Sequence, residues 1–494
     1  MASWVAVLSV VWVSIVIAWA WKVLNWMWLR PKKLERCLRE QGFTGNSYRL
    51  LFGDTKDSSM MLRQAQSKPM KLSTSHDIAP RVMPFVHQIV KTYGRNSFVW
   101  MGPMPKLNIM NPEDLKEIFN KRQNFQRPSA NPLIKLLVQG LLHIEDEKWA
   151  KHRKIIKPAF HLEKLKGMLP TFYQSCSDMI NEWKGLVSKD GSCEFDVWPC
   201  LKNLSADVIA RAAFGSSYQE GRKIFQLLQQ QDKNFSLVVR SVYIPGWRFL
   251  PTKHNRRMTE INKEINVLLR GIINKREEEI KLGEDNKDDL LGILMESNLK
   301  EIREHGNKTD TGMSIQDVIE ECRIGKLVQG KRSCKPLKAT PPSFNALSQL
   351  KVVTMVLLEV LRLYPAGVEL PRTTCKKTQL GKFLLPAGVL VSLHIMFVHH
   401  DKELWGEDAD EFKPERFSEG ISKATKNQFA YFPFGAGPRI CIGQNFAMQE
   451  AKLALALILQ HFTFELSPSY AHAPTTQGNL LQPQYGAHII LRKR

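Results

Sequence analysis

Hydrophobic and polar positions divide this chain unevenly. Residues 2–21, ASWVAVLSVVWVSIVIAWAW, carry no charge, and at helical rise twenty such residues cross the hydrocarbon core of a bilayer. Lys22 follows, then Arg30, Lys32, Lys33, Arg36 and Arg39, and no basic side chain precedes the run. That asymmetry places the N-terminus outside and the rest of the chain in the cytosol. A cleaved leader is the alternative, but its apolar part is shorter and its charges come first. The pattern predicts a single-pass, uncleaved anchor over residues 2–29, with Trp19, Trp21, Trp26 and Trp28 suited to the membrane interface.

Beyond the anchor the pattern is mostly helical. In 260–281, EINKEINVLLRGIINKREEEIK, Ile261, Ile265, Leu268, Ile272 and Ile273 share one face, with charges opposite. Residues 350–364 and 444–462 are helix-like too, and the second is apolar nearly all round, which predicts a buried helix. Strand signals are few. GKFLLPAGVLVSL, 381–393, is two short apolar runs around Pro-Ala-Gly and reads as a hairpin. No internal repeat is visible. The fold class that follows is mainly α with small β-sheets, as one catalytic domain over 30–494.

Composition narrows the function classes. At 43% hydrophobic and 24% charged residues the chain can bury a sizeable core. Its formal charge of +22 favours acidic partners, an anionic membrane surface or an acidic protein. Zinc-finger spacing and a dense basic recognition helix are both missing, which argues against nucleic acid. The eight cysteines form no CxxC pair, as suits reduced thiols on the cytosolic side of a membrane. Most of them read as buried small hydrophobes.

One cysteine is different. Residues 432–443 read FPFGAGPRICIG, that is Phe434-x-x-Gly437-x-Arg439-x-Cys441-x-Gly443. The glycines allow a tight turn and close approach to a flat ligand. The apolar helix begins after Cys441, so the thiol sits near a helix N-terminus, where free N–H groups and the dipole favour thiolate. A thiolate on such a loop can be the proximal ligand of haem iron, where it favours O–O cleavage. Arg439 can pair with a haem propionate. A buried structural cysteine is the bland alternative, but five specified residues at fixed spacing arise by chance on the order of once per million positions.

On these residues the chain resembles the cytochrome P-450 family, haem-thiolate monooxygenases, and is most similar to the plant subgroup of secologanin synthase and several terpenoid oxidases. The resemblance covers nearly the whole chain. It implies the family fold, haem b with Cys441 as iron ligand, and insertion of one oxygen atom from O2 into an apolar small molecule such as a terpenoid. Electrons would come from NADPH through a separate reductase, acidic on its docking face. It also implies an anchor in the endoplasmic reticulum membrane. Glu359-Val-Leu-Arg362 matches the family's ExxR, and in the family Arg416 of Pro414-Glu415-Arg416-Phe417 completes a buried structural network with that pair. Trp149-Ala-Lys-His-Arg153 matches WxxxR, whose Trp149 and Arg153 would reach a propionate, with a core Trp and a solvated Arg as the alternative. Arg372 matches a third propionate-binding arginine. Pro365–Leu370 resembles a pocket-lining segment. There Glu369 either meets a polar group on a substrate or points to solvent.

The resemblance breaks at one place. The family's long distal helix carries an AGxET-like motif, whose acid and threonine deliver protons beside bound oxygen. Here its lead-in, MSIQDVIEECR at 313–323, is followed by IGKLVQGKRSCKPLKATPPSFNAL. That segment has no acid–threonine pair, and six basic residues lie between 323 and 338 without an acidic one. Gly325, Gly330, Pro336, Pro341 and Pro342 interrupt any helix, so 323–346 reads as an exposed basic loop. A helix of ~30 residues spans about 45 Å and cannot fit, with the helix that follows it in the family, into the 37 steps from Cys322 to Glu359. About 40 residues are missing by this argument. Three readings follow: a working monooxygenase, an inactive isoform or pseudoenzyme of that family, or a haem-thiolate isomerase or lyase that needs no oxygen activation.

Overall fold

The computed structural model describes residues 2–494 apart from 72–74, 129–132, 135–139, 188–190, 216–222, 225, 229, 232–233, 235–236, 239–246, 283–288, 305–311 and 325–343. Its N-terminal helix Ala2–Leu24 passes through a π-turn, Asn25–Leu29, into helix Arg30–Glu40. Along the first part the large apolar side chains face outward, Trp4 at 74% and Trp12 at 68% exposure. This is the one described helix long and apolar enough to cross a membrane. Burial begins where charge begins: Leu34 and Leu38 enter the core. Tyr48 donates its hydroxyl to the Met27 carbonyl at 2.7 Å, which fixes the foot of the anchor against the domain.

The expected helices form. The amphipathic one is longer than its pattern suggests, Lys253–Lys281, because Thr252 caps it by accepting from the Asn255 N–H. Its core stripe is Ile261, Ile265, Ile272 and Ile273 as expected, but Leu269 is fully buried where Leu268 is only partly so. Helices Lys351–Leu363 and Gln444–His461 match the expected segments. The latter buries Phe446, Leu453, Leu457 and Ile458 against helix Leu162–Leu186.

The expected 381–393 hairpin does not form. Phe383–Leu385 pairs back with Thr378–Leu380, while Leu390–Leu393 lies in a six-stranded sheet between Met104–Ile109 and Leu370–Thr374. The Pro-Ala-Gly turn is real, but Thr374 takes it over. Its carbonyl accepts from Gly388 N–H at 2.7 Å, and its hydroxyl donates to Pro386 and accepts from Val389 N–H. Every residue of Leu390–Leu393 is buried, which suits a central strand better than a two-stranded ribbon.

Candidate active site

The cysteine loop is built from backbone. Cys441 N–H donates to the Phe434 carbonyl at 2.9 Å, closing the loop, and Ile440 N–H donates to Gly437. Gly435 and Gly437 have φ of 75° and 66°, values that L side chains resist. A Cβ on Gly437 would also press on the Phe119 backbone at 3.1 Å. Gly443 is not constrained in this way. Its φ is −89° and it is the N-cap of helix Gln444–His461, so Cys441 lies just outside the helix.

Cys441 is exposed, yet burial by surrounding atoms raises its thiol above the ordinary range, against the pull of the Gly443 N–H and Arg153. Desolvation outweighs the helix end here. A bound metal is what deprotonates a coordinating thiol outright.

Around the loop the structure gathers cations. Trp149, buried in helix Asp146–Ile156, has Arg439 at 4.5 Å, Arg122 at 4.6 Å and Arg153 at 5.6 Å from its ring centroid. Arg153 donates to the Ile440 carbonyl at 2.8 Å. Arg439 pairs with Glu145 and donates to the Ile144 carbonyl. Arg127 donates to the Leu142 carbonyl, and its backbone N–H to Glu145 at 3.1 Å. Arg372 donates to the Pro371 carbonyl at 2.8 Å. Burial first, then the neighbouring arginines, push Arg127 down to about 9 and Arg372 down to about 10. The Nη1 of Arg122 is buried without a hydrogen-bond partner among the described residues.

Guanidiniums that depress one another outnumber the carboxylates beside them among the described residues, Glu145 and Asp146, an arrangement suited to further anions. The two propionates of a haem fit this need, and a thiol on a rigid loop fits its iron. Arg122, Arg127 and Glu145 were not legible in the sequence. They lie in no motif, and only the fold brings them beside Trp149.

Behind the loop lies a second network. Glu359 and Arg362 are fully buried and joined by two 2.8 Å hydrogen bonds. Arg416 approaches Glu359 at 3.4 Å, and Lys413 N–H donates to it at 2.9 Å. Arg362 also donates to the carbonyls of His399, Ala409 and Glu411. The spacing of ExxR put Glu359 and Arg362 on one helix face, and the fold brings Arg416 to them.

Glu369 does neither of the things considered for it. It is largely buried, its side chain 13% exposed, bonded through both oxygens to Lys106, at 2.7 and 2.9 Å, and accepts from the Ser392 hydroxyl. Burial alone would raise its carboxyl, but Lys106 and His394 outweigh it and hold the group at about 2. Lys106 comes from the neighbouring region of the sheet, 263 positions away, so no local pattern could reveal it.

The segment after helix Ile315–Ile324 is described only in part. Helix Ile315–Ile324 is tied to the Trp149 helix by Lys148–Asp317 at 2.6 Å and His152–Glu321 at 2.7 Å. Most of the expected basic loop over 323–346 falls on 325–343, outside the described residues, while its ends are helical instead: 323–324 close helix Ile315–Ile324 and 344–346 open helix Phe344–Ser348.

Comparison with known proteins concerns nearly the whole chain. The Cytochrome P450 family model matches residues 77–324 and 320–491, two pieces that meet where the sequence becomes atypical. Cytochrome P450 72A397 of Kalopanax septemlobus is 54% identical over 500 residues, covering 96% of this chain and 95% of the relative. Secologanin synthase 1 of Catharanthus roseus is 48% identical, covering 97% and 96%. The 11-oxo-beta-amyrin 30-oxidase of Glycyrrhiza uralensis is 51% identical, with 100% and 98% covered. That alignment runs over 519 positions against 494 residues here, so about 25 positions of the relative have no counterpart. Among solved structures, retinoic acid bound cyanobacterial CYP120A1 matches with a TM-score of 0.67 at 22% identity, covering 83% of this chain and 94% of that one. At that identity the likeness concerns the fold.

Proposed function

This chain belongs to the cytochrome P450 family of haem monooxygenases, and we propose that its oxygen-inserting chemistry takes place at a haem held by Cys441. Membership implies haem iron, a reductase as redox partner and a small-molecule substrate. The observation that carries the residue assignment is the joint placement of the Cys441 loop and the anion-poor arginine set around Trp149. In this reading Arg127, Arg153, Arg372 and Arg439 face the propionates, and Trp149 supports them. Phe434, Gly437 and Gly443 shape the loop. Glu359, Arg362 and Arg416 brace it from behind. The haem, when bound, supplies the oxygen-activating redox chemistry.

The substrate is an apolar terpenoid. What supports this is the pair of relatives named for an amyrin derivative and for secologanin, each aligned over nearly the whole chain. Electrons come from NADPH through a reductase whose acidic face meets a chain of net charge +22. The apolar helix Ala2–Leu24 anchors the protein in the endoplasmic reticulum membrane, with the catalytic domain in the cytosol.

A second reading, an inactive member of the family, is favoured by one specific feature. The acid–threonine motif of the distal helix is missing, and the family match divides at that place. One experiment separates the two. Microsomes carrying the full chain and a plant reductase are supplied with NADPH and a panel of triterpenoid and iridoid substrates. An oxidised product that needs both NADPH and reductase supports the active reading. Bound haem with no product supports the inactive one, and absence of haem overturns the assignment of the site.

A further inference from the structure

Two consecutive histidines, His399 and His400, close a short buried helix, Ile395–His399, and face the end of helix Lys351–Leu363. The last carbonyls of any helix lack intrahelical donors. Here His399 Nδ1 lies 3.2 Å from the Arg362 carbonyl and His400 Nε2 lies 3.0 Å from that of Leu363. The histidines therefore cap the helix that bears Glu359 and Arg362.

His399 does more than cap. Its other ring nitrogen, Nε2, accepts the backbone N–H of Phe432 at 3.0 Å. Phe432 is 1% exposed and stands at the entrance to the cysteine loop. With Nδ1 donating to a carbonyl and Nε2 accepting an N–H, the ring is confined to one neutral tautomer. The His399 carbonyl in turn accepts from Arg362 at 2.7 Å, so the contact is reciprocal. The ring stacks on Tyr431, centroids 5.3 Å apart at 17°, and the Tyr431 hydroxyl donates to the Leu358 carbonyl at 2.9 Å. Two successive residues, 431 and 432, are thus fastened to the Glu359–Arg362 helix. From there backbone bonds run on, Gly435 N–H to the Phe432 carbonyl and Cys441 N–H to the Phe434 carbonyl.

We propose that His399 is a positioning residue: it transmits the rigid Glu359–Arg362 network to the cysteine loop and so holds the Cys441 thiol in place to serve as ligand of a haem iron. The first half rests on the contacts above, and the second on the haem-thiolate reading of the site. His399 touches neither substrate nor haem in this account. It acts through Phe432, whose buried N–H has His399 as its acceptor, and a buried donor left unpaired destabilises the arrangement that strands it.

Two variants of the full chain test this, His399→Leu, which fills similar space but neither donates nor accepts, and His399→Gln, whose amide does both. The first readout is the reduced carbonyl complex: the share with the red-shifted Soret band of thiolate ligation against the shorter-wavelength band of a displaced ligand. The second is hydrogen–deuterium exchange across residues 431–441, measured also on haem-depleted chain. His399→Leu is expected to shift most of the complex to the shorter-wavelength band and speed exchange about tenfold. His399→Gln is expected to return both toward the parent. A leucine variant that matches the parent in both readouts overturns the proposal, as does a glutamine variant as impaired as leucine. If the parent itself holds no haem, the haem-thiolate reading fails, and exchange in the haem-depleted chain still decides whether His399 holds the loop.

Discussion

Replacing Arg127 by methionine is predicted to act with opposite sign on the haem-free and haem-loaded protein. Burial and the charges of Arg372, Arg439 and Arg153 bring the Arg127 guanidinium from an ordinary 12.5 down to about 9. At 1.36 kcal/mol per unit, its charge is held at a disadvantage of roughly 4–5 kcal/mol in the haem-free fold. Removing it also removes the charged hydrogen bond to the Leu142 carbonyl, a loss of about 1.5–3 kcal/mol. The balance predicts that Arg127→Met stabilises the haem-free chain by about 2 kcal/mol. In the loaded protein the same change deletes a cation facing a propionate, and haem is predicted to leave about tenfold faster. The assay is urea unfolding of full-length chain in detergent micelles, produced with and without haem precursor, followed by tryptophan fluorescence. Haem transfer to excess apomyoglobin supplies the second number. If the variant destabilises the haem-free form by more than about 1 kcal/mol, or leaves haem loss unchanged, the reading of these arginines as an anion site is refuted.

Other predictions follow from the same contacts. Glu359→Ala leaves Arg362 buried without its carboxylate and is predicted to cost about 3–5 kcal/mol, read as a lower urea midpoint. An unchanged midpoint contradicts the buried network. Lys106→Met and Glu369→Leu are each predicted to destabilise by a similar amount, because each strands a buried charge, while the double variant recovers most of the loss. Strictly additive losses in that cycle rule out a direct pair. Burial holds His394 and His399 neutral, both pushed down to about 3. The unfolded chain takes up those protons near pH ~6.5, so it binds more protons than the native state below that value. Stability is therefore predicted to fall as pH drops below ~6.5, by up to about 1.4 kcal/mol per unit for each histidine. His394→Asn removes one of them and lessens the slope, and a flat profile between pH 6.5 and 5 counts against the burial of both.

Local pattern made the helices and the cysteine loop legible. The 432–443 motif carries its own turn chemistry, so Gly435, Gly437 and the Phe434–Cys441 bond follow from residues within ten positions of one another. The ExxR spacing likewise put Glu359 and Arg362 on one face. What the pattern could not reveal depends on pairing across the fold. The 381–393 segment has a turn where a hairpin needs one, but Thr374 and the sheet capture its second strand. Glu369 was ambiguous because its cation, Lys106, arrives from another strand. The arginine set beside the cysteine loop was only partly visible for the same reason. Arg153, Arg372 and Arg439 sit in recognisable motifs, whereas Arg127 and Arg122 gain their meaning only from proximity to Trp149 and Glu145. His399 was hidden too, since an apolar-flanked histidine has no periodic signature, and its role rests on two partners at 362 and 432.

The most direct test of the central claim is the carbon monoxide difference spectrum of the reduced full-length protein in microsomes, recorded for the parent chain and for Cys441→Ala. The account predicts a red-shifted Soret band typical of thiolate ligation in the parent and its complete loss in the variant. A parent without that band, or a variant that keeps it, contradicts the assignment of Cys441 as the ligand of haem iron.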